Sequence, residues 1–186
     1  LPVPVAKLRE TYPNVNISLH QGAPAQVAQM VMDEVAEIGI ATESLSEYPE
    51  LVTLPCYEWE HMLVIPKSHP LAGKVRITLE DLAAEPIITY HPSFTGRTRI
   101  DKAFAAKNLT PRIALEAIDS DVIKTYVRLG LGVGIVAEMA VKDGLDDDLV
   151  ARPASQLFGK NVARIAFKRS AYIRHFVYDF AALLSD

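Results

Sequence analysis

The stretch Arg112-Ile113-Ala114-Leu115-Glu116-Ala117-Ile118-Asp119-Ser120-Asp121-Val122-Ile123-Lys124-Thr125-Tyr126-Val127-Arg128-Leu129-Gly130-Leu131-Gly132-Val133-Gly134-Ile135-Val136-Ala137 decides the fold class. Its ends, Ile113 to Ala117 and Val133 to Ala137, read as strands, and Asp121 to Leu129 between them reads as a helix. Upstream the same alternation gives a strand at Ile87 to Tyr90 and a helix from about Gly96 to Lys107. Such alternation favours helices packed on a mostly parallel sheet, an α/β fold. Gly130, Gly132 and Gly134 superficially suggest a dinucleotide loop. Here, however, helix precedes strand and the final gap of that motif is missing, so the glycines read as a helix stop followed by a closely packed strand.

Working outward toward the N-terminus, Pro4 to Tyr12 reads as an opening helix with Val5, Leu8 and Tyr12 on one face and Pro13 stopping it. Val15, Ile17 and Leu19 alternate with polar residues as in a half-buried strand. A helix follows Gly22, with Pro24 in its first turn and Val27, Met30, Val31 and Val35 as its stripe, and Ile38 and Ile40 start another strand. Leu51 to Glu60 and Met62 to Ile65 read as two strands, and Thr78 with Asp81 as the capping start of a short helix. Toward the C-terminus, a loop rich in acid and glycine (Asp143, Gly144, Asp146, Asp147, Asp148) precedes a strand at Val162 to Phe167. A closing helix carries Ile173, Phe176, Val177, Phe180, Leu183 and Leu184, with Ser170 as its expected N-cap.

The 186 residues are 49% hydrophobic and 23% charged, enough for one domain or two small lobes without staples. One cysteine, Cys56, excludes an internal disulfide and suits a reducing compartment; it reads as a small buried hydrophobe. The net charge of −4 and the absence of a basic run give no electrostatic footprint for nucleic acid. The longest apolar stretch, Leu129 to Ala137, is too short to cross a bilayer. The chain begins with Leu1 rather than Met, no signal-peptide pattern follows, and it reads as a piece of something longer.

No phosphate-loop lysine motif and no nucleophile elbow is present, and the five histidines, His20, His61, His69, His91 and His175, lack the helical spacing of a metal pair. The expectation is no metal, no cofactor and no enzyme. What remains is a set of hydroxyls at strand and helix junctions: Thr42, Thr95 before Gly96 and Arg97, and Ser120. Helix starts carry unpaired amides and a positive dipole end, so this is the layout of a site for a small anion. Equally, Thr95 and Ser120 are residues that cap helices and Thr42 one that sits in turns. Arg97 is either a ligand contact or one half of a surface or interlobe ion pair.

The string Asp121 to Gly134 closely resembles the CysB group of LysR-type transcriptional regulators. So do His20-Gln21-Gly22-Ala23-Pro24, Ile40-Ala41-Thr42-Glu43, Leu54-Pro55-Cys56-Tyr57-Glu58-Trp59, Phe94-Thr95-Gly96-Arg97 and Leu109-Thr110-Pro111-Arg112-Ile113, in order and with compatible spacing. The resemblance implies two Rossmann-like lobes of periplasmic-binding-protein type II architecture with an interlobe cleft. One lobe would hold residues 1–57 and 160–186, the other 58–159; the upstream winged helix-turn-helix domain is absent from this chain. It implies an effector-binding domain that senses acetylserine or a sulfate-like anion in sulfur assimilation or cysteine synthesis, through Gln21, Thr42, Trp59, Thr95, Gly96 and Ser120. It further implies a cytoplasmic protein that self-associates to a dimer or tetramer through a helix of each lobe, the opening helix among them, and reaches promoter DNA only through the missing domain. The alternative is a solute-binding receptor of a transporter with the same two lobes.

Overall fold

The computed structural model describes residues 1–94, 96–141 and 146–185, the side chains of Glu43 and Ser185 aside. Thr95 and, of the acidic loop, Asp143 and Gly144 lie outside the described residues. The chain divides into two compact units, Leu1–Glu58 with Val162–Asp186, and Trp59–Asn161.

In the first unit, α1 (Pro2–Thr11) opens on prolines, which preset the helical φ where no amide partner is needed. Its Leu8 is buried, and Tyr12, just past its end, sets its ring 6.0 Å from that of Phe176 while its hydroxyl bonds the Asp179 carboxylate. The Val5, Leu8 and Tyr12 face thus serves contact with the closing helix, α7 (His175–Ser185), while Leu1 and Val3 point to solvent. In α2 (Pro24–Met32), Gln26 accepts from the Ala23 amide, and Ala28 and Val31 pack on Leu45, Leu51 and Ala166. β1 (Gly39–Thr42) runs antiparallel to β7 (Lys160–Lys168), which lies beside β2 (Leu51–Pro66).

Three expectations fail here. Val15, Ile17 and Leu19 join no ladder: Val15 and Ile17 are half-buried and Leu19 is exposed, so the alternation records a one-sided face, whereas a strand needs a hydrogen-bonded neighbour. Residues 51–66 form one strand, not two. The closing helix starts at His175 rather than after Ser170, because Arg169 donates from its amide to Glu50 O and Arg174 pairs with Glu37, holding the intervening residues in a turn.

The second unit carries the order β6 (Leu149–Pro153), β2, β5 (Val133–Ala137), β3 (Pro86–Tyr90), β4 (Arg112–Ala117). β3 is parallel to β4 and β5, but β2 is antiparallel to β5 and β6, so the sheet is mixed rather than mostly parallel. Helical crossovers impose parallel pairing only on the strands they join; β2 enters from the other unit and β6 arrives without a crossover. Alternate residues serve two buried faces. Leu63, Ile65, Ile87 and Ile135 pack with Ile100 and Phe104 of α4 (Arg97–Ala106) and with Phe158 of α6 (Ser155–Phe158). Val64, Ile88 and Val136 pack with Ile123 and Val127 of α5 (Ser120–Arg128). Each such side chain contributes about 1.5–3 kcal/mol by leaving water, and burial on both faces is why these strands read as unbroken apolar runs. The short helix α3 (Leu79–Ala83) begins at the expected Thr78–Asp81 capping box.

Glycine serves as expected after α5: Gly130 takes φ +78° and ends the helix, and a Cβ on Gly134 would stand 2.4 Å from a Val64 methyl. β6 and α6 were not foreseen, since β6 is a short edge strand ending in Pro153 and α6 has only four residues.

Candidate functional site

Two helices of the second unit begin at strand ends, and they begin differently. α5 is capped by Asp119, whose carboxylate accepts from the Asp121 amide at 2.6 Å, and Asp121 adds an acid to its first turn. Its positive dipole end is therefore satisfied by its own carboxylates. α4 has no side-chain cap bond and no acid in its first turn. Its N-cap is Gly96 at φ +77°, and the first turn instead carries Arg97 and Arg99, cations at the end of a helix that favours anions.

Beneath Gly96 lie two aromatic side chains from β2. Trp59 and His61 are two residues apart on the strand, hence on one face, and their rings meet edge-on at 5.0 Å. A Cβ on Gly96 would fall 2.5 Å from His61 Nε2 and 2.8 Å from Trp59 Cη2, so only glycine admits the turn this close. His61 is fully buried, with its Nδ1 3.5 Å from Asn161 Nδ2. Among the described residues, His61 Nε2 and Asn161 Oδ1 are buried without a hydrogen-bond partner. Burial, and then the Arg99 charge, push His61 down to about 4, so the imidazole is neutral near pH 7.

Arg97 faces inward. Its guanidinium, 6% exposed, donates to Tyr90 O at 2.7 Å, to Glu116 Oε1 at 2.9 Å and to Asp101 Oδ1 at 2.9 Å. Burial alone would lower its basicity, but the bonds to Asp101 and Glu116 hold it above the ordinary value. Arg97 is thus committed to ion pairs within this unit, its buried guanidinium meeting partly exposed carboxylates, and it fixes the α4 start on β3 and β4.

Ser120 is the first residue of α5 rather than its cap, because Asp119 takes that position. Its hydroxyl lies 2.6 Å from that of Tyr90, which also accepts from the Ala137 amide at 2.9 Å. Of the expected residues, Trp59 and Gly96 are brought together, and Ser120 sits apart from them in the Tyr90 network. Thr95 lies outside the described residues. In the first unit, Thr42 is buried at the end of β1 with its hydroxyl 3.2 Å from Ser44 Oγ, and Gln21 is exposed ahead of α2. Cys56 is half-buried rather than buried; its thiol donates to Leu184 O at 3.1 Å, and burial pushes it up, away from the thiolate.

Sequence reasoning weighed His61 only as a metal ligand and passed over Asn161 and Tyr90. The signal for His61 was its place two residues after Trp59 on a strand. For Asn161, nothing local distinguishes it. Among the described residues no group of three or more His, Cys, Asp or Glu could hold a metal, and no helix is long and apolar enough to cross a membrane.

The family model described as the LysR substrate binding domain matches residues 1–186. The chain belongs to the LysR substrate-binding-domain family. Its α/β fold is accordingly the type II periplasmic-binding-protein-like fold of that family. Among curated LysR relatives it is 50% identical to the HTH-type transcriptional regulator CysB of Burkholderia cenocepacia over 185 residues, covering 100% of this chain and 59% of that protein. It is 46% identical to the HTH-type transcriptional regulator SsuR of the same organism, covering 96% of this chain and 58% of that protein. The chain thus spans under two-thirds of these relatives. Among solved LysR domains, the cofactor-binding domain of the Cbl transcriptional regulator is 42% identical and superposes with a TM-score of 0.94 over 100% of this chain and 81% of that one.

Proposed function

We propose that this chain is the effector-binding domain of a LysR-type regulator of sulfur assimilation and cysteine biosynthesis, and that it senses a small anionic metabolite, acetylserine first and a sulfate-like anion second. Kinship with regulators named CysB and SsuR supports the pathway. The observation that carries the site is the start of α4: a glycine cap with no side-chain cap bond and no acid in the first turn. Fixed amides and a dipole bind an anion with little reorganisation. Trp59 and Gly96 form its floor, Thr95 supplies a hydroxyl, and Gln21, Thr42 and Ser120 are the further effector contacts implied by the sequence.

The reading extends to the whole protein. Promoter DNA is bound by a winged helix-turn-helix outside this chain, which fits a net charge of −4 here. The protein works in the cytoplasm as a homo-oligomer. Val122, Tyr126 and Leu129 form an exposed apolar stripe along α5 that a second copy would cover.

Calorimetric titration of acetylserine and of sulfate tests the site. Thr95→Ala deletes one hydrogen bond to a charged ligand and is expected to weaken binding about tenfold to a hundredfold, while Thr95→Ser keeps most of the affinity. A folded Thr95→Ala that binds as tightly as wild type places the effector elsewhere.

A further inference from the structure

Residues 15–20 and β1 flank an open groove in the first unit. It consists of two cavities, one of about 140 Å³ that reaches α2 at Val27 and Met30, and one of about 260 Å³ that reaches α1 and α7 at Leu8 and Val177; Leu19 and Ile38 line both. Helices therefore cover both faces of this position, as they do for the sheet of the second unit. In that unit the strands are buried on both faces, with Leu63, Ile65 and Ile87 at most 1% exposed. Here Ile38 and Ile40 stay half-buried and Leu19 is 65% exposed. Among the described residues β1 pairs with β7 along one edge and with no strand along the other, and residues 15–20 join no ladder. A free strand edge and an unpaired segment along one apolar groove form a place for an added strand.

We propose that this groove seats a β-strand formed by the polypeptide immediately upstream of Leu1 in a longer protein, pairing with β1 on one side and with residues 15–20 on the other. The topology gives its direction. Residues 15–20 lead through α2 into β1, and strands joined by a helical crossover in one sheet run parallel; a strand between them that leads into α1 follows the same rule. Leu1 itself lines the cavity on the α2 side, so chain that arrives at α1 is delivered at the groove. Relatives have the length to supply it, since this chain covers 59% of the CysB relative and 81% of the Cbl domain chain. Alternate side chains of the strand would be buried toward α2 and toward α1 with α7, which calls for about five or six residues, apolar or small on both faces. A second copy or a foreign peptide could offer the same backbone bonds, but a segment tethered at Leu1 has an effective concentration on the order of millimolar. The proposal is independent of which anion the second unit binds.

Amide hydrogen exchange tests this on two forms, the present chain and the chain lengthened upstream by about a dozen residues of its own gene, enough for a strand and its turn into α1. Several amides within residues 16–20 and 38–41 are expected to exchange about a hundredfold more slowly in the lengthened form, at concentrations where sedimentation shows a monomer. Leu19→Glu reads the side chains. On the present chain Leu19 is exposed, and the substitution should lower the Tm by less than about 2 °C; in the lengthened form it should cost about 5 °C or more, because a charge would then sit beside a buried strand. Unchanged exchange at these amides, or an equal cost of Leu19→Glu in both forms, overturns the proposal. Protection that appears only as the lengthened form dimerises overturns it too, since the strand would then come from a second copy.

Discussion

The start of α5 is closed and the start of α4 is open. At α5, Asp119 caps, Asp121 meets the dipole, and Lys124 and Arg128 gather on Asp146 and Asp148: Lys124 Nζ lies 3.0 Å from Asp146 and donates to Ala140 O at 2.7 Å, and Arg128 reaches Asp146 and Asp148 at 2.7 Å each. Every charge is answered from within the unit. At α4 the cap is a glycine, Arg97 is turned inward, and no side chain caps the helix or puts an acid in its first turn. Two helices of nearly equal length on one sheet therefore differ in whether folding uses up their N-terminal field. The difference teaches where a ligand is wanted, because a site that the fold has already satisfied gains little from an anion.

The contrast is tested hardest on the closed side. Lys124→Ala leaves Asp146, 7% exposed, with Arg128 as its remaining described cation, and is expected to cost about 3 kcal/mol of stability in chemical denaturation. Sulfate affinity should be unchanged. A loss near zero would show that the α5 network is solvated rather than closed.

On the open side, Gly96→Ala forces a left-handed residue and drives a Cβ toward His61, for an expected loss of about 2 kcal/mol. Gly73, where an added Cβ meets nothing within 4 Å, is the control, and Gly73→Ala should melt as wild type does. Equal melting of the two variants would mean that the Gly96 turn yields and the imidazole is not held against it.

The smallest effect belongs to the α5 cap. Asp119→Ala removes the bond to the Asp121 amide and is expected to cost about 1 kcal/mol, with sulfate binding intact. If it abolishes sulfate binding, the anion sits at α5 and the contrast is inverted.

Much of this was legible in the residues. The α/β alternation, the stop at Gly130 and the Thr78–Asp81 capping box all rest on local rules, and the structure keeps them. The arrangement of the strands was not local: alternation along residues 15–19 cannot say whether a neighbour exists, and nothing in Leu51 to Pro66 announces an antiparallel partner. The same limit applies to the site. Asp101 stands four residues from Arg97 and could be read as its helical partner, but Glu116 arrives from β4, nineteen residues on, and turns the arginine inward. Asn161, which meets His61 Nδ1 at 3.5 Å, comes from one hundred residues away in the chain.

The central claim is that the open start of α4 binds the anion. The most direct measurement is anomalous diffraction from crystals grown without sulfate or phosphate and then soaked in selenate, which replaces sulfate with a strong anomalous scatterer. The account predicts the strongest selenium peak at the N-terminal end of α4. A peak at the start of α5 instead, or no ordered selenate at α4 at concentrations where solution binding is saturated, would contradict it.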